Sequence, residues 1–210
     1  MNPEAFLACF AQARASAILR TSNTRVAPLA MEAAIRGGFR VVEFTLGIPN
    51  ALELIREFSG REGVVVGAGT VLTVAQARAA VDAGARFLVS PVVDPEIIAE
   101  ALACQVAAMP GCSTPTEMLL AHRAGAQLQK LFPEAGPGPA WVRQTLGPLP
   151  FLRIVPTGGV TLANAAAYLQ AGAFAVGFVN SLFDPADVAG GRFAEIEERA
   201  RQMIQAVLTA

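Results

Sequence analysis

The stretch Gln127-Leu128-Gln129-Lys130-Leu131-Phe132-Pro133 reads as a short apolar strand with one amine inside it. Lys130 is the only lysine in the chain; the other fifteen basic residues are arginine. The difference matters chemically. An ammonium loses its proton when desolvated and becomes a nucleophile, whereas a guanidinium stays charged. A desolvated lysine attacking a ketone carbonyl is Schiff-base chemistry. The plainer reading is an arginine-biased chain with one lysine left at the exposed end of a strand.

A carboxylate sits in a similar setting at Val41-Val42-Glu43-Phe44. Burying an unpaired carboxylate is costly, so Glu43 needs a reason to be there. One reason is general acid and base work beside Lys130, because perturbed groups gather at sites. The other is a structural ion pair with an arginine, or a side chain turned outward to a helix. Further along, Pro156-Thr157-Gly158-Gly159-Val160 and Gly177-Phe178-Val179-Asn180-Ser181 follow apolar runs. Adjacent glycines let backbone N–H groups approach an anion such as phosphate. They also make a tight strand-to-helix turn with no ligand at all. Gly67-Ala68-Gly69-Thr70 lacks the spacing of a dinucleotide fingerprint. It reads as a close-approach loop that offers Thr70 to a ligand.

These residues need a frame, and the chain supplies one by repetition. A helical stretch ends at a small-residue turn, and a short β-rich run follows. Ala83-Gly84-Ala85, Ala124-Gly125-Ala126 and Ala171-Gly172-Ala173 are such turns. Glycine just past a helix takes the backbone conformation that ends it. Eight β-rich runs are expected, near residues 16–20, 40–45, 64–67, 87–90, 106–109, 127–133, 152–155 and 175–178. Helical stretches follow them, the last over roughly 193–208, where Glu195, Glu197, Glu198, Arg199 and Arg201 suggest a solvated face. The first fifteen residues read as an additional helix. Strands alternating with helices imply parallel pairing through helical crossovers. The runs are apolar with little alternation, as when both faces are covered. Eight such units over residues 1–210 predict one α/β domain, a (β/α)8 TIM barrel with an extra N-terminal helix. In that fold chemistry sits where strands end. Those positions are Arg20, Glu43 and Thr45, Gly67 to Thr70, Ser90 and Pro91, Pro110 and Gly111, Lys130 and Phe132, Thr157 to Gly159, and Gly177 to Ser181.

Composition narrows the function classes. The 210 residues carry a net charge of −1 and few aromatics. With no basic tract, nucleic acid is not an expected partner. Hydrophobic residues make up 53%, but no apolar run reaches the ~20 residues of a membrane-spanning helix. Met1-Asn2-Pro3-Glu4 lacks the basic start of a signal peptide, so the expected location is cytoplasmic. Cys9, Cys104 and Cys112 form no CxxC and read as packing residues in a reducing compartment. His122 is the only histidine, and no metal-ligand spacing is present, so no metal site is expected.

Six motifs resemble those of the 2-keto-3-deoxy-6-phosphogluconate (KDPG)/4-hydroxy-2-oxoglutarate aldolase family, the small class I barrel aldolases. They are Val41-Val42-Glu43-Phe44-Thr45-Leu46, Val66-Gly67-Ala68-Gly69-Thr70-Val71-Leu72, Leu88-Val89-Ser90-Pro91, Met109-Pro110-Gly111, Lys130-Leu131-Phe132-Pro133 and Pro156-Thr157-Gly158-Gly159-Val160. Each is weak alone; their order at successive strand ends, over about residues 16 to 185, makes the resemblance specific. It implies a cofactor-free lyase that cleaves a 2-keto-3-deoxy sugar acid, phosphorylated or not, to pyruvate and an aldehyde. It places Lys130 at the Schiff-base lysine and Glu43 at the acid/base glutamate. Thr70 falls at a contact to the keto-acid carboxylate, Phe132 at the aromatic beside the lysine, and Gly158, Gly159 and Ser181 in the phosphate loops. Thr45, Pro91, Thr157 and Gly177 complete the expected substrate contacts. The resemblance also implies a homotrimer.

Three departures stand out. The family's carboxylate-binding arginine after Glu-x-Thr-Leu is here Gly47, and Arg20, with Arg25 behind it, is the candidate substitute. Val92 replaces the glycine after Ser90-Pro91. The eighth loop is Gly177-Phe178-Val179-Asn180-Ser181 rather than a plain Gly-Gly-Ser. Two other readings compete with the aldolase. A phosphate-binding isomerase or epimerase would need a second acid/base pair at a strand end. A non-catalytic metabolite-binding barrel would turn over no keto acid.

Overall fold

The computed structural model describes residues 1–133 and 138–210. The described residues form ten helices and eight strands in the order α1 (Pro3–Ala13), β1 (Ala15–Leu19), α2 (Ala27–Arg36), β2 (Val41–Thr45), α3 (Ala51–Ser59), β3 (Val65–Gly69), α4 (Val74–Asp82), β4 (Phe87–Ser90), α5 (Pro95–Ala103), β5 (Ala107–Cys112), α6 (Pro115–Arg123), β6 (Gln129–Leu131), α7 (Pro139–Leu146), β7 (Ile154–Pro156), α8 (Ala165–Gln170), β8 (Val176–Phe178), α9 (Pro185–Ala189) and α10 (Phe193–Leu208). Every strand pair is parallel, and the sheet runs β7-β6-β5-β4-β3-β2-β1-β8. A further bridge between Thr157 and Gly177 joins β7 to β8 and closes the ring. The result is the expected (β/α)8 barrel with its extra helix.

The repeated turns explain how the chain reverses so often. After α4, α6 and α8 the glycine of Ala-Gly-Ala has φ of +109°, +98° and +101°. The following alanine N–H bonds back into the helix, as Ala85 does to the Ala80 carbonyl at 2.9 Å. That is the six-to-one bond of a Schellman ending, and it aims the chain straight into the next strand.

Alternation along each strand separates two cores. Ala17, Leu19, Val42, Phe44, Val66 and Ala68 face outward into the layer between sheet and helices. Val41, Val65, Phe87, Val89, Met109 and Val155 fill the barrel interior with Phe6 and Phe10 of α1. Phe6 stacks on Phe87 with centroids 4.7 Å apart. Burying each of these phenyl rings contributes roughly 1.5–3 kcal/mol. Helix α1 is capped by Asn2, whose Oδ1 accepts from Ala5 N at 2.9 Å. Among the described residues no helix is long and apolar enough to cross a membrane.

Several boundaries differ from the sequence reading. Helix α2 begins at Ala27 rather than at Met31, where the sequence places its first turn, and β5 continues through Pro110-Gly111 to Cys112. Strand β6 is only Gln129–Leu131. Helix α8 starts at Ala165 rather than at the expected Leu162, because Thr161 N donates to Asn164 Oδ1 at 2.7 Å and makes a turn there. Helix α9 was not anticipated; Asp184 caps it through Ala186 N and Asp187 N. The face of α10 is not wholly solvated. Arg199 is half-buried and donates to the Leu182 carbonyl at 2.6 Å and to Asp187.

Candidate active site

Lys130 is the middle residue of β6. Its neighbours Gln129 and Leu131 are buried in the outer layer, so alternation alone sends Lys130 inward. The side chain is 8% exposed, and Nζ lies 5.1 Å from the Phe132 ring centroid. Glu43, the middle residue of β2, also points inward and is 1% exposed. Its Oε2 has no hydrogen-bond partner. No salt bridge joins it to Lys130 or Arg20.

Burial dominates both titrations. It pushes the Glu43 carboxyl up from the ordinary range, with Lys130 and Arg20 pulling more weakly the other way. It holds the Lys130 ammonium below the ordinary lysine range; Glu43 opposes that shift and Arg20 adds to it. The two groups are therefore driven toward a neutral amine facing a protonated acid, which is how a nucleophile and its proton donor start a carbonyl addition.

Both line one cavity of ≈ 420 Å³ at the C-terminal end of the strands. Arg20, Thr45, Phe132, Thr157, Gly158, Gly159 and Ser181 line it with them, so nine of the twelve expected residues are brought together. Arg20 is at the rim, one residue past β1, and its Nη2 donates to Thr70 Oγ1 at 3.4 Å. Thr70 has φ +59° and does not itself line the cavity. Pro91 stays behind the wall, where its carbonyl carbon would be 2.7 Å from a Cβ at Gly111. Gly177 lies under Thr157; a Cβ there would be 2.6 Å from Thr157 Oγ1. Arg25 is exposed and outside the lining.

Ile18, Val160, Thr161, Val179 and Asn180 also line the cavity and were not anticipated. Ile18 was readable in principle: it stands two residues before Arg20 on the same strand face. Thr45 Oγ1 is buried without a partner and faces the same space. Gly158 and Gly159 have successive φ of +83° and +71°, which L side chains rarely adopt. Among the described residues no cluster of three His, Cys, Asp or Glu could hold a metal ion.

Comparison with known proteins bears on this geometry. Residues 8–198 match the family model described as KDPG and KHG aldolase. The chain is 36% identical over 182 residues to the 2-dehydro-3-deoxy-phosphogluconate aldolase of Pseudomonas aeruginosa, covering 86% of this chain and 82% of that one. It is 37% identical to a probable 2-dehydro-3-deoxy-6-phosphogalactonate aldolase of Rhizobium meliloti, covering 88% and 86%. A KDPG aldolase structure from Legionella pneumophila, with pyruvate captured as a covalent carbinolamine, superposes with a TM-score of 0.82 at 25% identity, covering 94% and 97%. Fold and relatives define a class I aldolase, a lyase that breaks a carbon–carbon bond through a Schiff base. The chain belongs to the KDPG and KHG aldolase family.

Proposed function

We propose that the chain cleaves a 2-keto-4-hydroxy sugar acid, phosphorylated at its far end, to pyruvate and an aldehyde, with Lys130 as nucleophile and Glu43 as acid and base. One observation carries the assignment of residues: an amine and a carboxyl, both buried and neither ion-paired, face one cavity at the catalytic end of the barrel. The relatives named above act on phosphorylated sugar acids, which supports the substrate class.

The chemistry follows from those two groups. Neutral Lys130 adds to the C2 carbonyl, and Glu43 gives its proton to the developing alkoxide, making a carbinolamine. The Glu43 carboxylate takes the surplus proton from the carbinolamine nitrogen and passes it to the departing hydroxyl; water leaves, and an iminium forms. The C4 hydroxyl then loses its proton to the carboxylate. The C3–C4 bond breaks, its electrons moving to the iminium nitrogen, and the aldehyde leaves an enamine. Protonation at C3 and hydrolysis release pyruvate and the free amine. Arg20 holds the substrate carboxylate from the rim, and Phe132 packs over the lysine.

Borohydride reduction in the presence of pyruvate, read by peptide mass, tests the assignment. A stable pyruvyl adduct on Lys130, absent from Lys130→Ala, is expected. Folded protein that yields no adduct at neutral pH would overturn it.

A further inference from the structure

We propose that Asn180, on the loop after β8, is the specificity-determining side chain for the substrate's far end, and that it donates to an oxyanion there. The proposal rests on the aldolase reading and adds a residue to it. The part of the cavity built by the loops after β7 and β8 runs from Thr157 to Thr161 and from Val179 to Ser181, with no charged side chain. An anion bound there must be held by neutral donors.

Ser181 is the residue the sequence singled out for that task, and the structure gives its proton another use. Its Oγ donates to the Val160 carbonyl at 2.6 Å, which ties the two loops together. What the hydroxyl then presents to the cavity is lone pairs, and an oxyanion is repelled by an acceptor. Thr157 is turned in the same manner toward the Val155 carbonyl, at 3.4 Å.

Asn180 differs on each count. It is exposed, lines the cavity, and makes no hydrogen bond with another described residue. Its carboxamide brings two N–H donors. The surroundings favour donors as well. Gly158 and Gly159 carry consecutive positive φ, and the Gly159 N–H has no acceptor among the described residues. The Gly159 carbonyl is covered by Asn164 Nδ2 at 2.9 Å, which removes an acceptor from the loop. Successive N–H groups in such a turn make an anion-binding concavity. Asn180 is the one unengaged amide side chain beside it.

The test compares wild type, Asn180→Ala, Asn180→Asp and Ser181→Ala. Cleavage of 2-keto-3-deoxy-6-phosphogluconate and of 4-hydroxy-2-oxoglutarate is measured with each. Proton exchange at C3 of pyruvate, followed by NMR, reports the lysine chemistry alone. Asn180→Ala is expected to raise KM for an anionic-tailed substrate roughly ten- to a hundredfold, as for a lost hydrogen bond to a charged group, with pyruvate exchange kept. Asn180→Asp is expected to lose more. Loss confined to the phosphorylated substrate identifies a phosphate as the oxyanion; loss on the dicarboxylate identifies a carboxylate. Unchanged KM on both overturns the proposal, as does equal damage to pyruvate exchange or a Ser181→Ala effect that exceeds Asn180→Ala. Titration with glycerol 3-phosphate gives a readout independent of turnover, in which Asn180→Ala binds at least about tenfold more weakly. If wild type fails to exchange pyruvate, the aldolase reading falls, and this titration still decides the role of Asn180.

Discussion

Glu43 occupies the space that a side chain at residue 69 would take. A Cβ built on Gly69 would lie 2.7 Å from Glu43 Cδ and nearer still to Oε1. The carboxyl is folded against the backbone of the neighbouring strand, and glycine is what allows it. Gly69→Ala is therefore expected to displace the carboxyl and slow cleavage on the order of a hundredfold, the scale of lost acid/base catalysis. Overpacking should cost about 1–3 kcal/mol in denaturant unfolding. Wild-type kcat in a folded Gly69→Ala protein would remove Glu43 from the chemistry.

Glu43 and Lys130 should make opposite contributions to the pH dependence of stability. The Glu43 pKa is raised in the folded state above its ordinary 4.5. As pH climbs past 4.5 the unfolded chain ionises first, so the native state loses ground until its own carboxyl titrates. Glu43→Gln removes that loss. Its gain in Tm over wild type should be absent at low pH and grow above 4.5.

For Lys130 the sign reverses. Its pKa is lowered from 10.5, so below 10.5 the unfolded chain takes up the proton first and is favoured. Lys130→Met should stabilise the protein at neutral pH and lose that advantage as pH approaches 10.5, while abolishing borohydride trapping. Thermal melts at several pH values separate the two slopes. Identical pH profiles for wild type and Lys130→Met would show that the amine is not perturbed.

Arg20 and Gly47 offer an exchange experiment. Arg20 reaches the cavity from β1, and nothing lies within 4 Å of a Cβ at Gly47. Arg20→Ala should raise the pyruvate concentration needed for half-maximal trapping by roughly ten- to a hundredfold, as for a lost charge-assisted bond. Adding Gly47→Arg in that background should restore part of it. No change in Arg20→Ala would place the carboxylate elsewhere.

Asp187 accepts from Arg192 at 2.7 Å and from Arg199, and both arginines hold its carboxyl below the usual range. Arg199 also holds the Leu182 carbonyl, one residue beyond Ser181. Arg199→Ala should lower stability by about 1–3 kcal/mol and raise KM more than it lowers kcat. A change in kcat alone would argue against a loop-holding role.

The barrel was legible because its signals are local and repeated: an Ala-Gly-Ala turn three times over, and apolar strands of like length. Lys130 and Glu43 were legible because a charged residue in the middle of such a strand has few places to go. What sequence could not show is which neighbour a side chain chooses. Gly67 and Gly69 looked like an approach to a ligand, yet they make room for Phe87 and Glu43. Ser181 and Asn180 are adjacent and both polar, and only three-dimensional pairing tells the engaged hydroxyl from the free amide. Arg199 reads as one more charge on an exposed helix until its bond to the Leu182 carbonyl, on the loop after β8, is seen.

The single lysine has a practical corollary. Acylating reagents, aldehyde fixatives and amine-reactive beads ordinarily scatter over many surface lysines. Here the one side-chain amine is 8% exposed inside a walled cavity. A bulky activated ester should find the α-amino group alone, so the protein can be tethered or dye-labelled at one defined point with its chemistry intact. An amine reagent small enough to enter the cavity should reach Lys130 as well, and protection of that amine by a keto acid would give a count of occupied sites.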